Sequence, residues 1–183
     1  GNHRDLHSFP TRRSSDLEAF ALATRIAVMR DGKLIAVGRP DDLYRNPPDA
    51  FVSGCLGDQN GLTAEAVGWD GSRLSVRIGQ QTISVRLASA DPVKAVELKA
   101  VRLMCRPESV RDGAAEGPDA LTLQAALQSV EGAGLSRCRR LIVQIDGGGP
   151  AADWLAPVSG TTAETGMVHV RADDLLAFAD ETP

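Results

Sequence analysis

Aromatic residues are scarce in this chain, with four Phe, two Trp and one Tyr among 183 residues, and the formal net charge is -4. A nucleic-acid surface needs a basic footprint and stacking platforms, so nucleic acid is not an expected partner. Cysteine is scarcer still. Cys55, Cys105 and Cys138 lie far apart with no C-x-x-C pair, and an odd number cannot all pair, which predicts buried reduced thiols rather than disulfides or metal ligands. Three histidines add no ligand spacing: His3 and His7 stand in a polar stretch, and His169 alternates with Val168 and Val170 as in a strand. No uninterrupted apolar run approaches the ~20 residues that a membrane-crossing helix needs, so no direct membrane insertion is expected.

What the chain does have is an ordinary globular composition, 43% apolar and 24% charged. Its length suits one domain plus part of another, or one large domain, since domains commonly run to ~100–150 residues. Residues 7–17 read HSFPTRRSSDL, with neither helical nor strand periodicity, and break sharply into EAFALAT at Glu18. The string resembles a translated sequencing-library adapter, so residues 1–17 are read as a non-native leader.

From Glu18 to Thr24 good helix formers dominate, and Arg25 to Met29 then turns into a compact apolar run. Asp31-Gly32 separates that run from Leu34 to Val37, which predicts a hairpin, because glycine accepts the positive φ of a tight turn. Pro40 is placed to open a short helix, with Asp41 and Asp42 at its positive end and Arg45 at its negative end. A second helix is expected near Pro48-Asp49, with Phe51, Val52, Cys55 and Leu56 sharing one face and Gly57 ending it.

After residue 57 the pattern becomes β. Leu74, Val76 and Ile78 form one alternating face; Ile83, Val85 and Leu87, Val101, Leu103 and Cys105, and Leu121, Leu123 and Ala125 form others. Leu141, Val143 and Ile145, then Val168 and Val170, extend the series. Trp69 and Trp154 read as turn residues, Gly147 to Gly149 as a turn between strands, and Leu175, Leu176 and Phe178 as a closing apolar cap. Short strands between Gly, Pro and Asp clusters predict a small barrel or sandwich. In LMCRPESVR, Pro107 has no N–H and is placed to end a strand's ladder, between the opposite charges of Arg106 and Glu108. Two roles are open for Arg106, Pro107 and Glu108: a structural ion pair or hydrogen-bonding corner, or a polar rim recognising a regulator or small anion.

The ordered series from Arg25-Ile-Ala-Val-Met29 through Asp31-Gly32, Gly38 to Tyr44 and Phe51 to Gly57 resembles the end of the ATP-binding subunit of ABC importers, of the kind serving spermidine/putrescine, iron, thiamine or sugars. Arg106-Pro107-Glu108 and Gly166 to Val170, with Asp173 and Asp174 beyond, resemble the transport-associated OB-like domain that follows it. The resemblance implies a mainly β chain: a remnant of the nucleotide-binding domain over 18–57, then an OB-like domain over 58–183. Ser14 stands at the position of the family's switch histidine, and no G-x-x-x-x-G-K-[ST] occurs, so no backbone cradle for nucleotide phosphates is read here.

The implied parent would use ATP and Mg²⁺, pair with a second ATP-binding subunit and with permease subunits, and work in the cytoplasm against the inner face of the plasma membrane. This chain would hold no catalytic, cofactor or metal residue and would be inactive alone as an ATPase. The alternative reading is a free-standing β module that binds an oxyanion.

Overall fold

The computed structural model describes residues 22–88, 97–115, 117–132, 137–146, 151–158 and 165–179. The string at 7–17, His3, the Gly147 to Gly149 turn and most of the helix expected over 18–24 lie outside the described residues.

The first unit is a small α/β layer. Strands β1 (Ile26–Arg30) and β2 (Lys33–Gly38) pair antiparallel with a bulge between Val28 and Met29. The connecting Asp31 and Gly32 both have positive φ, 51° and 75°, the backbone that a two-residue hairpin demands and that an Asp-Gly pair tolerates. Helix α1 (Pro40–Arg45) begins on its proline, with Asp41 and Asp42 in the first turn and Arg45 in the last. Helix α2 (Ala50–Leu56) is capped by Asp49, whose carboxylate accepts from the Val52 N–H at 2.7 Å, and it ends at Gly57. Val28, Leu43, Val52 and Leu56 form its core, with Ile26, Ala36, Tyr44 and Phe51 packed on them. Cys55 corrects the expected helix face, for it is exposed. In this short helix the buried stripe runs through Val52, Ser53 and Leu56, and at ~100° per residue Cys55 falls off its edge.

The rest is a β body of two sheets. Strands β3 (Asn60–Trp69), β4 (Leu74–Ile78), β5 (Gln81–Leu87) and β6 (Ala100–Cys105) join β12 (Leu176–Ala179) in a closed barrel of order β12-β5-β4-β3-β6. This is the small OB-like barrel the sequence predicts, within a mainly β chain. Closure comes from Leu176 to Ala179, which read as a cap but form a strand running antiparallel to β6 and parallel to β5.

A second sheet, of order β10-β9-β8-β11-β7, is built from β7 (Arg111–Asp112), β8 (Ala120–Glu131), β9 (Cys138–Gln144), β10 (Ala152–Pro157) and β11 (Thr165–Arg171). The alternating faces expected of both sheets point into one continuous core that includes Leu74, Val76, Leu103, Leu121, Val143 and Val170. Of the three thiols, Cys105 is buried there and Cys138 is half-buried.

Trp154 is a further correction. It sits mid-strand in β10, 1% exposed, and donates its Nε1–H to the Gly61 carbonyl at 3.2 Å. Two side-chain amides then join the sheets as if each were a missing strand. Asn60 Nδ2 donates to the Leu155 carbonyl at 2.8 Å while its Oδ1 accepts from the Leu155 N–H at 2.6 Å. Gln81 does the same to Thr122, at 2.7 and 3.0 Å. Asn60 thereby satisfies backbone groups on β10, an edge strand whose open side would otherwise lack partners. Gly79, with φ +57°, closes the β4–β5 turn against the other sheet; a Cβ there would lie 2.0 Å from the Asp146 carbonyl oxygen.

Candidate functional site

The Arg106-Pro107-Glu108 corner lies where the α/β unit meets the barrel. β6 ends at Cys105, Arg106 stays extended, and Pro107 opens a single 3-10 turn, Pro107–Ser109. The missing N–H of proline stops the ladder there, as expected. From this point the Arg106 side chain reaches out of the barrel. Its Nη1 donates to the carbonyls of Ser53 (3.2 Å), Gly57 (3.1 Å) and Asp58 (3.2 Å), and its Nη2 to that of Tyr44 (3.3 Å). The guanidinium also stacks 3.9 Å from the centre of the Tyr44 ring.

These acceptors are carbonyls in and just after the two helices, where intrahelical donors run out, so a planar cation with several N–H groups suits them. Through these bonds the Arg106 side chain links the barrel to the two helices. Glu108 accepts from the Tyr44 hydroxyl at 2.6 Å, and Arg86 Nη1 donates to Asn46 Oδ1 at 2.9 Å. Each of these bonds again crosses the seam.

Between the bridges lies a cleft of about 660 Å³ with Met104, Cys105 and Leu176 among its walls. The Cys105 thiol is pushed up to about 12, first by burial; the Asn60 amide opposes the shift, the charges of Asp174 and Glu108 add to it, and Arg106 opposes it least. The thiol is thus a neutral, unreactive wall at ordinary pH.

Arg106 and Glu108 are thus both at one site, and the acidic turn Asp173-Asp174 comes to the same cleft from the other end of the chain. Tyr44 was visible in the sequence only as part of an ordered helix, while Asn46, Gln59 and Arg86 carried no signal at all. The Tyr44–Glu108 and Arg86–Asn46 bonds span 64 and 40 residues, which no local spacing reveals. Among the described residues no group of three or more His, Cys, Asp or Glu side chains could hold a metal ion. Among them too, no helix is long and apolar enough to cross a membrane.

Fold and site define an OB-like barrel with an added sheet, clasped by an arginine to a small α/β unit. No family model matches this chain. Stretches of it are similar to ATP-binding subunits of ABC importers. It is 38% identical over 95 residues to the spermidine/putrescine import ATP-binding protein PotA of Ruegeria pomeroyi, a match covering 51% of this chain and 24% of that protein. Against the Fe(3+) ions import ATP-binding protein FbpC of Agrobacterium fabrum it is 33% identical over 100 residues, covering 55% and 27%. Against FbpC of Serratia marcescens it is 35% identical over 118 residues, covering 64% and 30%. The chain spans about a quarter to a third of the length of these curated relatives.

Proposed function

We propose that this chain is the C-terminal part of an ATP-binding subunit of an ABC import system, and that its β body is the transport-associated domain serving association and regulation. The observation that carries the reading is the extent of the similarity. At 118 residues, the match is too long to fit within the residues that precede β3, so at least part of it lies in the β body, which supports reading that body as part of such a subunit. The hairpin adds support. Met29 and Leu34 are more than half exposed and Val37 nearly so, and Ala27 pairs with Val37 and Met29 with Leu34. These residues share the face turned away from the small core, and a two-stranded ribbon with an uncovered apolar face is marginal by itself. In the parent, the remainder of the nucleotide domain would cover it.

On this reading ATP and Mg²⁺ belong to the parent, which would couple hydrolysis to solute import with a second ATP-binding subunit and permease subunits at the inner face of the plasma membrane. The residues of the seam do not form a triphosphate cradle. No glycine-rich turn followed by Lys-Ser or Lys-Thr occurs in the sequence, so no step of nucleotide chemistry is assigned to this chain. Sequencing the genomic DNA upstream of the Glu18 codon tests the proposal. In-frame phosphate-loop and signature motifs are expected; continuous native coding for 7–17 without them would overturn it.

A further inference from the structure

Asn60 is followed by Gly61, and no other asparagine in the chain precedes a glycine. That pair carries a reaction of its own. In an unfolded chain the Gly61 nitrogen, with no Cβ beside it, swings within reach of the Asn60 Cγ. It forms an N–Cγ bond, its proton leaves with the side-chain Nδ2 group as ammonia, and a five-membered succinimide closes. Water then adds to one of the two ring carbonyls and breaks its C–N bond. Opening one side gives Asp, and opening the other gives isoAsp, in which the main chain runs through the former side chain.

The fold withholds both reactants. Asn60 is 1% exposed, so water is kept away. Its carboxamide is fixed on β10, with Nδ2 donating to the Leu155 carbonyl at 2.8 Å and Oδ1 accepting from the Leu155 N–H at 2.6 Å. Gly61 is held in the ladder opposite Met104, and its carbonyl accepts the Trp154 indole N–H at 3.2 Å. Neither Cγ nor the nitrogen is free to turn toward the other. The same contacts are what the reaction would destroy. As Asp, residue 60 sets an oxygen against the Leu155 carbonyl where Nδ2 donated, and a buried carboxylate that has lost its donor costs free energy. As isoAsp, it adds a methylene to the main chain where the pairing of β3 with β6 begins, at Asn60 and Cys105.

We propose that Asn60-Gly61 is a self-modification site silenced by the closed junction of barrel and second sheet, and that an opening long enough for the ring to form leaves the two sheets unable to join again as before. This stands on the β body alone and is independent of the importer reading.

The test holds the full chain in mildly alkaline buffer, with and without urea above its unfolding midpoint, and follows residue 60 by the mass of its tryptic peptide and by isoaspartate content. Conversion is expected in urea, and at least about tenfold more slowly in the folded chain, where it must wait for an opening. Gly61→Ala fits the fold, since a Cβ there meets no atom closer than 3.5 Å, and should lose most of the conversion in urea because its methyl obstructs the attacking nitrogen. Trp154→Phe keeps an aromatic ring and removes the N–H bond to Gly61, so the folded variant should convert about threefold to tenfold faster. Returned to buffer, the converted chain should show a lower urea midpoint than Gly61→Ala treated alike. Equal rates with and without urea, no conversion in urea, undiminished conversion in Gly61→Ala, an unchanged rate in Trp154→Phe, or a converted chain that recovers the original midpoint would each overturn the proposal.

Discussion

The α/β unit and the β body are built from the same kinds of residue but differ in how their cores close. In the β body both sheets turn their alternating faces into one core, in which Leu74, Val76, Val85, Leu121, Val143 and Trp154 are at most 1% exposed. Its barrel has no open edge, and side-chain amides stitch it to the second sheet. Among the described residues, the α/β unit gathers Val28, Leu43, Val52 and Leu56 at its centre and leaves Met29, Leu34 and Val37 of its hairpin exposed. Burial scales faster than surface as a unit grows, so the larger β body buries more of its own apolar surface, while the smaller unit gains more from what it leans against. What it leans against among the described residues is the barrel, through Arg106, Tyr44 and Arg86.

Trp154→Ala probes the stronger side and carries the largest expected effect. Removing a wholly buried indole and its bond to Gly61 should cost about 3–5 kcal/mol, read as a fall in the cooperative urea midpoint of the whole β body. Separate transitions for barrel and sheet would break the claim of one core. Leu43→Ala probes the weaker side. Its loss should cost about 2–3 kcal/mol and should raise amide exchange across residues 26–58 while β3 to β12 keep their protection. Equal deprotection of both parts would show that the two unfold together and that the contrast is wrong.

Arg106→Lys sharpens the comparison at the seam. Lysine keeps the charge but not the fork that reaches four carbonyls, so a loss of about 1–2 kcal/mol is expected. The telling readout is local: exchange at Tyr44, Ser53 and Gly57 should rise more than exchange inside the barrel. A uniform change would assign Arg106 to the barrel's own stability instead of to the junction.

Much of this architecture is legible in sequence where the forces are local. Asp31-Gly32, Pro40 and Asp49 mark a turn and two helix starts because each satisfies backbone geometry within a few residues. Alternation at Leu74 to Ile78 or Leu121 to Ala125 reveals a buried face because neighbouring side chains on a strand point oppositely. What is not legible is long-range. Nothing in LLAFA says that it slots between β5 and β6, and Trp154 was misread because its burial comes from β3, some ninety residues earlier. At the site, resemblance supplied Arg106 and Glu108, but their roles depend on carbonyls and a tyrosine from another unit, which have no signature beyond being backbone.

The smallest expected effect tests how tightly the β body is sealed. Burial raises the Cys105 thiol from its ordinary 9.0 to about 12. Well below pH 9 the thiol is protonated whether the chain is folded or not, so it adds no pH dependence there. Between pH 9 and about 12 the unfolded chain gives up that proton while the folded chain keeps it, and stability therefore falls as pH rises. The contribution at pH 9.5 is on the order of 1 kcal/mol. Tyrosine and lysine titrate in the same range, so urea midpoints of the parent and Cys105→Ala are compared at pH 8 and 9.5, and the difference between their slopes isolates the thiol. A shallower decline in the variant is expected. Identical slopes would mean that water reaches Cys105 from the cleft, and that the barrel wall beside Arg106 opens as readily as the α/β unit it holds.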